Sequence, residues 1–371
     1  EDGYNNAAQL STTLYSQIKH EGKYTRNIHP IRGAHGIAET QYFMSNRNFD
    51  ITNDTVFVME MVGEQGDPNS QLIVNYGITD VAYGMPPNGQ QEDTDLDDPT
   101  SGLQTNDARV LGGFLLDGKI QFVANTINPE TGRAAFYHGF IENPESNKPT
   151  ITGNIIGSDT LDYGYPNIAF SGKEDCEQQA IIGFDFSSIN DHPGVGAIYF
   201  NNAGEYSDLQ ILVKGETYVD RLGPPSYVPG WERWGDYFGI QRKFNQPGAV
   251  YCNGYYGRGA NTNSIWTSEV FSPDTNTTGG AVANGQNVVF PNPTNNEEYV
   301  NVQFSLDKQQ NVSAYIYDMN GRIVEKIVEH KDCVGTNVLS FSTFPLESGT
   351  YVVKLLNEGG AEILSEKFIK N

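Results

Sequence analysis

The chain has 371 residues, with 23 Lys+Arg against 46 Asp+Glu, a formal net charge of −23. Such acidity argues against a protein that tracks a phosphate backbone, which is bound through clustered Lys and Arg, and no apolar run of 18 residues suggests a transmembrane helix. Charged residues make up only 19% while Gly numbers 40, a composition that opposes disorder and favours short strands joined by tight turns.

The first residues, EDGYNNAAQL, contain no initiator Met, basic region or apolar leader core. Either a targeting peptide has been removed or the sequence starts at a fragment boundary. The three cysteines allow at most one disulfide, with Cys176–Cys252 the expected pair, or three free thiols; their number does not fix the redox compartment.

The stretch between Phe271 and Asn287, rich in Thr, Asn and Gly, reads as a linker. It divides the chain into 1–271, a linker 272–285, and 286–371. The last part carries a net −4, which leaves −19 on the remainder.

The first part reads as recurring sets of apolar strands. A strand is expected around Leu14–Ile18. A weak set follows at Gln41–Ser45, Thr55–Met61 and Gln71–Tyr76. Clearer sets are Arg109–Leu115, Lys119–Ala124, Ala134–Ile141 and Thr150–Ile156; then Tyr165–Phe170, Ala180–Phe186, Ala197–Phe200 and Leu209–Val213; then Tyr237–Gln241, Ala249–Tyr255 and Ser264–Phe271. Four-strand units repeated in order predict an all-β fold, a β-propeller, either complete or lacking an N-terminal blade; the rival is a β-sandwich or two stacked sheets. The strand starting at Tyr165-Pro166, Trp234–Ile240, Pro247–Tyr251 and Ile265–Thr267 resemble sialidase-like propellers of bacterial cell-surface proteins, over about residues 100–271.

From Gln286 the pattern sharpens. Phe290-Pro291-Asn292-Pro293 opens the module, and strands are expected at Tyr299–Phe304, Val312–Tyr317, Ile323–Val328, Asn337–Phe341, Thr350–Leu356 and Ile363–Ile369. The Tyr317–Arg322 segment is a hairpin in which Asn-Gly supplies positive φ. Gly321 and Gly349 are expected to serve turns. Strands at this spacing predict a small antiparallel Ig-like β-sandwich.

The aromatic-Pro-Asn-Pro start, the Ile316–Arg322 hairpin, Gly349-Thr350-Tyr351 and the final Lys367-Phe368-Ile369-Lys370 together resemble the type A C-terminal sorting domain of type IX secretion. The resemblance implies a Bacteroidetes-type cargo exported across the outer membrane to the cell surface or beyond. Its implied partners are an outer-membrane shuttle protein, the translocon and a sortase. Its implied signal residues are Pro291, Asn292, Pro293, Asp318, Gly321, Arg322, Gly349, Tyr351, Lys367, Phe368 and Lys370, with Arg322 and the terminal strand as contact candidates.

For the first part the leading expectation is a non-catalytic binder of a ligand, surface or glycan, acting in adhesion. Trp231, Trp266, Tyr255 and Tyr256 are the aromatics that would stack on sugar. The alternative is a surface glycoside hydrolase of sialidase type, working through an arginine cluster and a Tyr–Glu pair. Its candidates are Tyr237, Glu232, Asp236 and Arg109, with Arg32, Arg221, Arg233 and Arg258 as further arginines. The Ser-x-Asp-x-Gly-x-Thr-Trp turn of that resemblance is absent; Asn202–Ser207 is a degenerate trace. A third reading is a structural surface component. Convergent Arg and Glu in a central channel would favour the enzyme. The six histidines show no paired metal spacing. Asp93, Asp95 and Asp97 form an acidic loop able to gather Ca²⁺, with a solvated loop as the plainer reading.

Overall fold

The computed structural model describes residues 13–35, 40–63, 67, 69–92, 102–172, 177–219, 232–236, 238–259, 262–272, 288–290, 292, 294, 299–319 and 321–370. It divides into two compact units, Glu1–Ser272 and Pro273–Asn371. No helix is present among the described residues, and none is long and apolar enough to cross a membrane.

Unit 1 starts with a two-stranded ribbon, β1 (Lys19–His20) and β2 (Lys23–Tyr24). Residues 13–18 are not a strand, which corrects the expectation at Leu14–Ile18; pairing begins only at Lys19↔Tyr24, and Leu14 is exposed. Four antiparallel meanders follow in chain order. The first is β3 (His29–Gly33), β4 (Tyr42–Asn46), β5 (Asn53–Val62) and β6 (Gln71–Tyr83). A short β7 (Leu103–Gln104) precedes the second, which is β8 (Val110–Leu116), β9 (Lys119–Ile127), β10 (Ala134–Glu142) and β11 (Thr150–Ile156). The third is β12 (Asp162–Phe170), β13 (Ala180–Ser188), β14 (Asp191–Phe200) and β15 (Gln210–Val213). After β16 (Glu232–Arg233), which pairs parallel with β7, the fourth has three strands: β17 (Gly239–Arg242), β18 (Ala249–Arg258) and β19 (Thr262–Phe271).

The first two meanders meet at both edges. Parallel pairing of β3 with β8 at Arg32↔Phe114 and of β6 with β11 at Thr79↔Ile151 closes them into one eight-stranded sheet. The strand β3, which contains Pro30, was not among the strands expected from the sequence. It is accommodated here because β8 pairs only with Arg32 and Gly33, beyond the residue that lacks an N–H.

Burial explains why these segments are strands. Every residue of β13 is buried, as expected for a strand between two neighbours with both faces covered. Phe238 shows how the third and fourth meanders pack. A Cβ on Gly183 of β13 or Gly254 of β18 would stand 2.5 Å or 2.7 Å from its ring, so both positions need glycine for close approach. Cys252 is a free thiol in that core, so no Cys176–Cys252 disulfide forms; burial pushes its thiol well above the usual range.

Unit 2 is one five-stranded antiparallel sheet: β20 (Val288–Phe290), β21 (Tyr299–Asp318), β22 (Ile323–Ser342), β23 (Gly349–Asn357) and β24 (Glu362–Lys370). The expected pairs Tyr299–Phe304 with Val312–Tyr317, and Ile323–Val328 with Asn337–Phe341, are each one twenty-residue strand. Register shifts at Leu306/Gln310 and Val312/Ala314 break the ladder without ending it. Both halves of β21 face the same core: Val300, Val302 and Phe304 from one, Val312, Ala314 and Ile316 from the other. Gly321 has φ 80°, as its Asn-Gly turn requires. Gly349 has neither a positive φ nor a close neighbour, so the expectation that it serves a turn is corrected.

Candidate functional site

The leading strands of the four meanders are β3, β8, β12 and β17, and two arginines lace three of them. Arg32 on β3 donates to the carbonyls of Ile240 on β17 (2.9 Å) and Ile168 on β12 (3.0 Å). Arg242 on β17 is buried and donates to the carbonyls of Ala34 after β3 and Gly172 after β12, both at 3.1 Å, with its guanidinium 4.5 Å from the Phe170 ring centre. Burial holds the Arg32 guanidinium below its usual range. Fixed carbonyl dipoles compensate the buried charge in part.

At the N-terminal ends of β3, β8 and β17 and beside the bulge of β12 lies a cavity of about 500 Å³. Asn27 and His29 enter from the first meander, Asn106 and Arg109 from the second, Tyr165 and Asn167 from the third, and Arg233, Asp236 and Phe238 from the segment leading into the fourth. A second cavity, of about 380 Å³, lies between β3 and β17 beside Arg32.

The cavity wall is tied internally. Arg109 grips Asp107 through Nε (2.8 Å) and Nη2 (2.6 Å). Arg233 pairs with Asp236 and donates to Gln104 Oε1 at 3.1 Å. Tyr165 sits in the bulge between Gly164 and Asn167 with φ 52°, an uncommon conformation for a bulky residue. Its N–H donates to Asn125 Oδ1 at 2.9 Å, and its hydroxyl lies 2.7 Å from the Gln104 carbonyl and 2.9 Å from Asp236 Oδ1. Burial pushes the Tyr165 hydroxyl well above its usual range. Burial first, and the Arg32 charge second, lower the His29 pKa and favour the neutral ring.

Of the residues expected to act in catalysis, Arg109 and Asp236 line the cavity; Glu232 is buried on β16 and does not. Tyr237, with Trp231, lies outside the described residues, as do Asp93, Asp95 and Asp97. Tyr255 and Tyr256 are only 6% and 7% exposed and belong to the core of the third and fourth meanders, which corrects their reading as exposed stacking aromatics. Trp266 is partly exposed on β19, with its Nε1 donating to Ser268 Oγ at 2.6 Å. The cavity therefore holds two arginines, Arg109 and Arg233, and each is matched to a carboxylate. Sequence reading missed His29, Asn106, Asn125 and Asn167, which come from distant segments. One local signal existed: in Asn106-Asp107-Ala108-Arg109 the Arg109 N–H donates to Asp107 Oδ1 at 2.9 Å, a turn that Asp favours.

In unit 2 the motif residues gather at one end of the sheet. Register places Asp318 opposite Tyr351, Tyr351 opposite Phe368, and Gly349 opposite Lys370. Asn292 reaches the same end and bridges the backbone of β24: its Nδ2 donates to the Lys367 carbonyl (2.8 Å) and its Oδ1 accepts from the Ile369 N–H (2.9 Å). Thr294 pairs with Lys370 in a parallel bridge. Lys370 is buried, not a solvated contact: its Nζ donates to the carbonyls of Thr343 (2.6 Å) and Leu346. Tyr351 and Phe368 are core, stacked with centres 5.6 Å apart. Arg322 is exposed and pairs with Asp318 at 3.4 Å, and Lys367 is exposed. Pro291 and Pro293 lie outside the described residues.

No curated protein matches the chain. Among solved structures, PorZ of Porphyromonas gingivalis, described as an essential bacterial surface component of the type-IX secretion system, aligns with 11% identity and a TM-score of 0.27. The alignment covers 94% of this chain and 39% of PorZ, and at that score it carries no argument about the fold. Residues 288–371 match the family described as the secretion system C-terminal sorting domain, and a sorting domain of this type IX kind marks the chain as a cargo exported across the outer membrane to the cell surface or extracellular space.

Proposed function

We propose that the chain is a surface-displayed type IX cargo whose unit 1 is a non-catalytic propeller engaging a ligand or surface in adhesion. Unit 2 is then its export and attachment signal, read by an outer-membrane shuttle protein and the translocon and processed by a sortase. The observation that carries the export half is convergence: segments around Asn292, Asp318–Arg322, Gly349–Tyr351 and Lys367–Lys370, far apart in sequence, meet at one end of one sheet. A folded patch of that kind suits a receptor better than a linear peptide does.

Four meanders in chain order, with leading strands laced by Arg32 and Arg242, support the propeller reading. The non-catalytic reading rests on the cavity. Asp236 is its single acid among the described residues, with no Glu in the lining to make the Tyr–Glu pair of a sialidase-type site. The tyrosine it does present, Tyr165, is buried, and burial raises its hydroxyl well above the usual range, which disfavours the phenolate a nucleophile needs.

The test is deletion of Glu362–Asn371 from the full chain in a type IX-competent host, with surface protein measured by protease shaving of intact cells. Loss of at least about 90% of surface material, with retention inside the cell, is expected. Undiminished surface display would remove β24 from the signal.

A further inference from the structure

The cavity at the leading-strand ends has a definite chemical bias. Its two guanidinium groups, Arg109 and Arg233, are matched to Asp107 and Asp236. His29 joins them with burial favouring its neutral form, one ring nitrogen donating and the other accepting. The wall therefore alternates donors and acceptors with little net charge. An anionic sugar needs an arginine free of carboxylate, because a matched guanidinium gains little from a second anion. A hydroxyl group needs both a donor and an acceptor, and an Arg–Asp couple supplies them side by side. Two adjacent hydroxyls can meet one such couple, one accepting from the guanidinium and the other donating to the carboxylate.

Two further observations point to a ligand. Tyr165 lines this cavity with φ 52°, uncommon for a bulky residue, while Asn27 and Asn106 beside it hold positive φ as asparagine readily does. Left-handed non-glycine residues concentrate at ligand clamps, where surrounding structure over-determines them; Tyr165 is held by Asn125, Gln104 and Asp236. The size, about 500 Å³, lies within the range of small-molecule sites.

We propose that this cavity binds a neutral polyhydroxylated ligand, a neutral hexose unit of a glycan presented through vicinal hydroxyls, with the Arg233–Asp236 couple as its main contact. The proposal rests on the reading of unit 1 as a non-catalytic binder and narrows it to one ligand class and one site.

The experiment uses the full chain in two arms. Isothermal titration with galactose, mannose and N-acetylglucosamine, with 3′-sialyllactose as the anionic comparison, measures class. Binding of the labelled full chain to intact bacterial or epithelial cells measures whether unit 1 binds anything. At least one neutral sugar should bind, the sialylated one at least tenfold more weakly than that sugar. Arg233→Met and Asp236→Asn should each weaken the neutral sugar at least tenfold, with the melting temperature of Arg233→Met unchanged. Preference for 3′-sialyllactose, or wild-type affinity for the neutral sugar in either variant, overturns the proposal. Cell binding with no neutral-sugar binding overturns the ligand class and leaves the binder reading standing. Failure of both arms overturns the two together.

Discussion

Asp185 is the residue whose surroundings make the sharpest demand. It is fully buried on β13, with Oδ1 accepting from the Tyr255 N–H at 2.9 Å and no partner on Oδ2. Burial raises its carboxyl well above the usual range, against the single backbone hydrogen bond. The folded state therefore holds a proton that the unfolded state releases above about pH 4, and this group lowers stability as pH rises from there towards its folded pKa. Asp185→Asn removes that coupling. Thermal melts at pH 7.5 should show a rise in Tm of about 2 °C or more, shrinking towards pH 4; a lower Tm at pH 7.5 would contradict the burial argument. Lys370 makes a parallel case in unit 2. Lys370→Ala leaves two buried carbonyls without their charged donor, an effect of about 2 kcal/mol, whereas Lys367→Ala removes an exposed side chain. Chemical denaturation of the two variants should separate them, and equal midpoints would place Lys370 in solvent. Neither the burial of Lys370 nor the strain at Tyr165 was legible in the sequence. A terminal lysine in an alternating strand reads as solvated, and the bulge that gives Tyr165 its φ depends on Asn125, forty residues away.

At the scale of elements, the meanders were legible because their strands are runs of apolar residues, which the Tyr165–Val213 set shows most clearly. The leading strand β3, which contains Pro30, was not. The long strands β21 and β22 were read as halves, since a register shift and a turn look alike in composition. The strand β19 carries a further consequence. Among the described residues its outer edge has no partner strand, while the other three meanders have a fourth strand. The Ser272 N–H donates to the Gly248 carbonyl at 2.7 Å, and alternation of antiparallel bonds from that point directs the N–H groups of even-numbered residues to β18 and those of odd-numbered residues outward. Thr267→Pro should therefore be tolerated, with a loss of less than about 1 kcal/mol, while Ser268→Pro should lose about 3 kcal/mol or more. Denaturation midpoints check this, and equal losses would mean that the outer edge is paired.

For the whole molecule, charge and sorting signal divide along the chain. The net −19 before residue 286 sits on the passenger, and the net −4 after it on the module with the export motifs. The sorting module was legible because its motifs are local words in fixed order, now matched over residues 288–371. The ligand cavity was not, because its wall is assembled from segments spread between Asn27 and Phe238 with no spacing to read. The direct measurement is the location of the full chain in two otherwise identical host strains, one with a working type IX translocon and one with the translocon disrupted, followed by protease accessibility on intact cells. The full chain should be protease-accessible at the surface or in the medium in the first strain and retained in the periplasm in the second. The same surface level in both strains would contradict type IX export.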